Sequence, residues 1–108
     1  MKTSNALSIR GSFEILETTK RSQTAALALE VGEATSDQPN RHPESDQVLI
    51  VLEGELAGEI GGEKLPLKVG DSVIVKANTP HRFVNSGKAR AVAFSVYAPP
   101  AYPPGTKE

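Results

Sequence analysis

Cysteine is missing from these 108 residues, which excludes disulfides and thiolate-held metal sites and makes a reducing cytoplasm the expected compartment. An excess of either charge is missing too, with 12 Lys and Arg against 13 Asp and Glu. A chain so balanced offers no basic stripe, so neither nucleic acid nor an anionic membrane is expected as a partner. No apolar run reaches the length of a membrane span, and the opening MKTSNALSIRGSFEIL lacks the apolar core of a secretory signal. Helical periodicity is hard to find. Histidine is rare, and its two positions, His42 and His81, each stand beside a strand-like segment.

Period-two patterning recurs where helical patterning does not. In TAALALEV, Ala25, Leu27, Leu29 and Val31 share one face against Thr24 and Glu30, which predicts a half-buried strand. DQVLIVLEG is apolar without a break from Val48 to Leu52, which predicts a strand covered on both faces. ELAGEIGGEKLPL reads as two short strands about a Gly61-Gly62 turn. GDSVIVK and HRFVN are strands separated by the turn ANTP, and ARAVAFSVY alternates with Val92, Phe94 and Val96 on one side. Eight or nine short strands so closely spaced favour a closed all-β barrel or jelly roll in one domain, residues 1–108. The polar connection GEATSDQPNRHPES is the longest and is expected to be mobile. The tail, residues 98–108, holds four prolines and is expected to be extended and unpaired, over the barrel or in solvent.

The two histidine segments resemble the paired motifs of the cupin superfamily. The first family motif is a glycine, five residues, His-x-His, three or four residues, Glu, six residues and a glycine. This chain runs Ala34, Asn40, His42, Gln47, Gly54 in that register. The second is a glycine, five residues, Pro-x-Gly, two residues, His, three residues and Asn, and here it runs Gly70, Lys76, Asn78, His81, Asn85. The resemblance covers residues 34–85 directly and implies a jelly-roll, or double-stranded β-helix, barrel. It also implies that His42 and His81 lie near one another on one cavity.

Departures from the motifs bear on the chemistry. In metal-binding cupins the two histidines and glutamate of the first motif and the histidine of the second hold the ion. Here Asn40 and Gln47 occupy two of those four slots. Lys76 replaces the proline, and Asn78 replaces the glycine of a turn, where asparagine tolerates a left-handed backbone. Period two puts Asn40 and His42 on one side of a strand, and a bulge at PES would bring Gln47 to that side as well. Gln47, Leu49 and Val51 then face the interior, leaving Val48, Ile50 and Leu52 outside.

The resulting candidate metal site is His42, His81, Gln47 and Asn40, with Leu49, Val51 and Phe83 as candidate pocket residues. Imidazole suits zinc, copper, nickel and iron, so the expected cofactor is a divalent transition metal (Zn, Ni, Mn or Fe), whereas an amide oxygen supplies no compensating charge. Lys76 and Tyr97 are weaker candidates for ligand contact, and Arg82 is expected in solvent. Three readings follow. In one the barrel binds a divalent metal and a small polar molecule; in another the same side chains bind a small ligand without metal. A third makes the barrel a dimeric interaction unit. No nucleophile–base pair is visible, so the reaction is not named by the residues. The apolar row Val48, Ile50 and Leu52 on the outer face predicts a homodimer.

Overall fold

The computed structural model describes residues 1–108. A short 3-10 helix, Ala6–Ser8, is followed by eight strands: β1 Phe13–Thr18, β2 Gln23–Leu29, β3 Asp46–Glu53, β4 Glu55–Ile60, β5 Glu63–Lys68, β6 Ser72–Val75, β7 His81–Val84 and β8 Ala91–Ala98. Five of them form one antiparallel sheet in the order β1-β2-β8-β3-β6, and three form another in the order β5-β4-β7. The chain therefore folds as the jelly roll its strand rhythm implied. No helix is long and apolar enough to cross a membrane.

Alternation decides what lies between the sheets. Leu27 and Leu29 of β2, Leu49 and Val51 of β3, Leu56 of β4, Leu67 of β5, Val75 of β6 and Phe83 of β7 form the principal buried cluster. These are the inward residues of their strands, two apart as a pleated strand requires. Two turns depend on backbone conformations that side chains disfavour. Gly61 and Gly62 join β4 to β5 with φ of 56° and 87°, the paired positive values of a tight hairpin turn. Gly54 has φ of 72°, and a Cβ there would lie 2.7 Å from the Arg90 carbonyl oxygen. Asn78 takes φ of 65°, as expected for the residue standing in a glycine slot.

Several expectations are corrected by packing. β2 is buried on both faces, not one, because Ala6 and Ile9 of the N-terminal segment cover Ala26, Ala28 and Val92. Alanines on that face leave room for the segment to approach. Val31 lies beyond the strand and is exposed. β3 is not covered on both faces: Leu52 packs against the N-terminal cluster, but Val48 remains 37% exposed. β1, whose FEILET run was not singled out from the sequence, forms the edge beside β2.

The two connections expected to be loose are pinned. The Arg82 guanidinium donates to the carbonyls of Ser36 and Asp37 at 3.1 and 2.9 Å and to Glu59 Oε1 at 3.1 Å, so Arg82 anchors the long connection and does not point freely into solvent. Thr35 N donates to the Phe83 carbonyl at 2.9 Å, and Asn40 exchanges two backbone hydrogen bonds with His81. The proline-rich tail is paired as well. Ile15 N donates to the Thr106 carbonyl at 2.8 Å, while Phe13 and Glu108 exchange bonds of 3.2 and 2.7 Å. Proline removes donors only at its own positions, and the residues after Pro104 are free to pair.

Candidate functional site

A cavity of about 320 Å3 opens between the sheets, walled by residues from β1, β2, β3, β7 and β8, from the connection before β3 and from the tail. The second motif sets its floor plan. His81 opens β7, and its Nδ1 lies 2.9 Å from the Thr79 carbonyl oxygen. A carbonyl only accepts, so Nδ1 carries a proton, and in the neutral ring Nε2 is the nitrogen with the lone pair. The Asn78 turn then reaches the first motif, with Asn78 N donating to the His42 carbonyl at 2.7 Å and Ala77 N to Asp46 Oδ1 at 2.9 Å. These bonds bring the two histidine segments together. The ring centroids of His42 and His81 are 5.2 Å apart.

His42 is not on a strand. Residues 41–45 form an irregular segment between the Asn40 bridge and β3, so its place beside His81 comes from the Asn78 bond and not from strand parity. Gln47 opens the inward row of β3 and is 4% exposed. Its Nε2 donates to Ser95 Oγ at 3.1 Å, and its Oε1 is buried with no hydrogen-bond partner. Leaving such an acceptor unpaired costs about 1–3 kcal/mol, so the oxygen calls for a partner in the cavity. Asn40 is on the wall, but its Oδ1 already accepts from Arg41 N at 2.9 Å.

Of the candidate pocket residues, Phe83 lines the cavity, whereas Leu49 and Val51 are fully buried in the core and are not on its wall. β3 carries its inward row away from the mouth, and only its first inward side chain, Gln47, reaches the open space. Lys76 is exposed and off the wall; Tyr97 is on it.

The tail supplies what sequence reasoning missed. Tyr102 sits 4.9 Å from Phe13, 5.3 Å from Tyr97 and 5.5 Å from His42 by ring centroid. Buried Gln23 holds it there, donating from Nε2 to the Tyr102 carbonyl at 2.8 Å and accepting at Oε1 from the N–H groups of Ala101 and Tyr102. The available signal was compositional. Only five Phe, Tyr or Trp occur in the chain, and Phe13, Phe83, Tyr97 and Tyr102 all line this cavity.

Burial disfavours the charged forms of three side chains on the wall. His42 is held below the ordinary histidine range, first by desolvation and then by the neighbouring His81 ring. The Tyr97 phenol is pushed far above its usual range, mainly by burial and further by Tyr102 alongside, and burial raises Tyr102 as well. No group of three His, Cys, Asp or Glu side chains gathers anywhere in the fold. Any ion here would rest on two imidazoles and the amide of Gln47. That donor set fits: two imidazoles on one zinc, with Zn–N bonds of about 2.0–2.1 Å, put their ring centroids roughly 5 Å apart.

Known proteins share this architecture. An uncharacterized protein, YrkC, of Bacillus subtilis is 31% identical over 97 residues, which span 84% of this chain and 51% of that protein. The chain thus spans about half the length of that curated relative. The crystal structure of BH2720 from Bacillus halodurans superposes with a TM-score of 0.87 at 27% identity, covering 94% of this chain and 80% of that one. TT1209 from Thermus thermophilus does so with a TM-score of 0.81 at 25% identity, covering 92% and 98%. Residues 27–97 match the family model of the cupin domain, a span that begins in β2, takes in both histidine motifs and ends at Tyr97 on the cavity wall; the chain belongs to the cupin family.

Proposed function

We propose that this cupin binds a divalent transition metal, and with it a small molecule, in the cavity between its sheets. His42, His81 and Gln47 are the metal donors in this reading, and Asn40 is a wall residue. The observation that carries it is the unpaired Oε1 of Gln47 on the same cavity wall as two adjacent imidazoles. Three protein donors leave coordination positions open, the arrangement of reactive and not structural sites. When bound, the metal would supply a Lewis acid that polarises an oxygen of the small molecule. The protein's own contribution is orientation and exclusion of water. The Thr79 carbonyl orients the His81 ring through Nδ1, as the outer partners of metal-bound histidines do, and Tyr102 packs against His42 on the cavity wall.

The absence of any carboxylate beside the histidines favours a second reading, a metal-free barrel that binds its ligand directly. One experiment separates them. Protein purified without an affinity tag is analysed for bound metals, then stripped with chelator and titrated with zinc, nickel, manganese and ferrous ions. The metal reading expects one ion per chain, lost in both His42→Ala and His81→Ala. No saturable binding by any of the four ions overturns it in favour of the metal-free barrel.

A further inference from the structure

Six rings on the cavity wall form one continuous run. Phe13 meets Tyr102, Tyr102 meets Tyr97 and His42, Tyr97 meets His42, His42 meets His81, and His81 meets Phe83, with centroid spacings from 4.9 to 6.1 Å. A chain with five aromatic residues has placed four of them here; the fifth, Phe94, packs on the outer face of the sheet. Charge has been kept away to a similar degree. None of the 12 Lys and Arg lines the cavity, and the one charged side chain on its wall is Glu108.

A sugar phosphate or a dicarboxylate would therefore find no cationic side chain, and its charge would be buried without a protein partner. A flat, uncharged ring suits the wall better, because its edges and faces can meet neighbouring rings at the offset or edge-on geometries that aromatic pairs prefer. The cavity is also large enough. A void of about 150 Å3 lined by apolar side chains takes up benzene, and this one measures about 320 Å3. Like such a void it has apolar side chains, Leu27 and Leu29, on the β2 side, but it adds the acceptors Gln47 Oε1 and His81 Nε2 on the side of β3 and β7.

We propose that the cavity selects uncharged planar ring compounds carrying an O–H or N–H donor, stacked within the aromatic belt that Tyr102 completes, with the donor turned toward Gln47 and His81. Tyr102 is then the specificity-determining residue, and Gln23 positions it by holding its backbone. This inference rests on the cavity being a small-molecule site, and it does not require the metal.

The test uses the whole chain, stripped with chelator, and isothermal titration with phenol and indole, with cyclohexanol as the same-sized non-aromatic control and oxalate and glucose 6-phosphate as anionic ones. Phenol and indole are expected to bind one per chain and at least about tenfold tighter than cyclohexanol, with no saturable binding of the anions. Tyr102→Ala should weaken indole by about two- to tenfold, the range of one aromatic pair, and Tyr102→Phe should retain it. The phenylalanine variant keeps the ring and the packing, so it carries the comparison if the alanine variant is poorly folded. Binding of oxalate or glucose 6-phosphate as tight as that of indole overturns the proposal. So does indole affinity unchanged in a folded Tyr102→Ala, or phenylalanine as damaging as alanine. Indole binding without binding of zinc, nickel, manganese or ferrous ions supports the ring site and overturns the metal reading; binding of one of these ions without indole binding does the reverse.

Discussion

Gln47 is the residue on which the charge of the site turns. Its amide fills the slot that a glutamate takes in metal-binding cupins, and its Oε1 is the one buried side-chain polar atom without a partner. Glutamate has nearly the same shape, so Gln47→Glu should leave packing intact while adding an anionic oxygen beside a bound cation. Zinc is expected to bind the variant about tenfold tighter or more, since roughly 1.4 kcal/mol of extra charge-assisted contact is enough. Titration of both chelator-stripped proteins at one pH checks this; equal or weaker binding means the side chain does not face the ion. Tyr97 governs alkaline behaviour. Its folded pKa is raised far above that of an unfolded phenol, about 10. Below that value both states are protonated and the shift has no effect on stability. As pH rises past it, the unfolded chain ionises while the folded chain resists, so stability is lost. Thermal unfolding from about pH 9 to 11 should therefore cost wild type more than Tyr97→Phe, which has no proton to lose.

At the scale of elements, the long connection before β3 is a structural part of the site. It carries Asn40 and His42, and its hold on β7 runs through Arg82, half buried with three hydrogen bonds. Arg82→Ala removes all three and should destabilise the protein by about 1.5–3 kcal/mol, the range of one hydrogen bond to a charged group, because water replaces the remainder. Urea unfolding reads the loss. Hydrogen exchange should localise it, with faster exchange at the amides of Thr35 and Asn40, which pair with β7, and unchanged exchange in β2 and β8. Uniform acceleration across both sheets would show that Arg82 supports the whole barrel and not this connection. The turn after β3 is as demanding. Gly54→Ala meets both a positive φ and the Arg90 carbonyl, and should cost more than the roughly 1–2 kcal/mol of the left-handed conformation alone.

Across the whole molecule, the outer face of the five-stranded sheet divides in two. The N-terminal segment covers the half made by β2 and β8, burying Ala26, Ala28 and Val92. The half toward β6 is left with Val48 paired to Ile74, 37% and 62% exposed. The homodimer expected from the apolar row of β3 is proposed at this half, with Ile74 joining it. Light scattering at high micromolar concentration should return twice the chain mass, and Ile74→Lys should return it to that of one chain. A monomer mass for the wild type would sink the dimer. Leu52 belongs to the covered half, so its substitution is expected to lower stability without separating the chains.

Local pattern and fixed spacing were enough to recognise the all-β jelly roll from these residues. Alternation marks which side chains of β3 and β7 turn inward, the Gly61-Gly62 pair makes a hairpin wherever it stands, and the motif intervals align both histidines. Each of these signals is carried by neighbours along the chain. Tertiary structure alone decided the rest, because a side chain's surroundings come from residues remote in sequence. Leu49 and Val51 share parity with Gln47 yet lie in the core, since β3 leaves the cavity after its first inward residue. β2 became buried on both faces when a segment near residue 6 crossed its alanines. The aromatic wall was completed by Tyr102, held by Gln23 from 79 positions away. No period or spacing connects those two residues. Only the closing of the tail onto β1 and β2 brings the amide of one to the backbone of the other and makes a pocket of the barrel's open end.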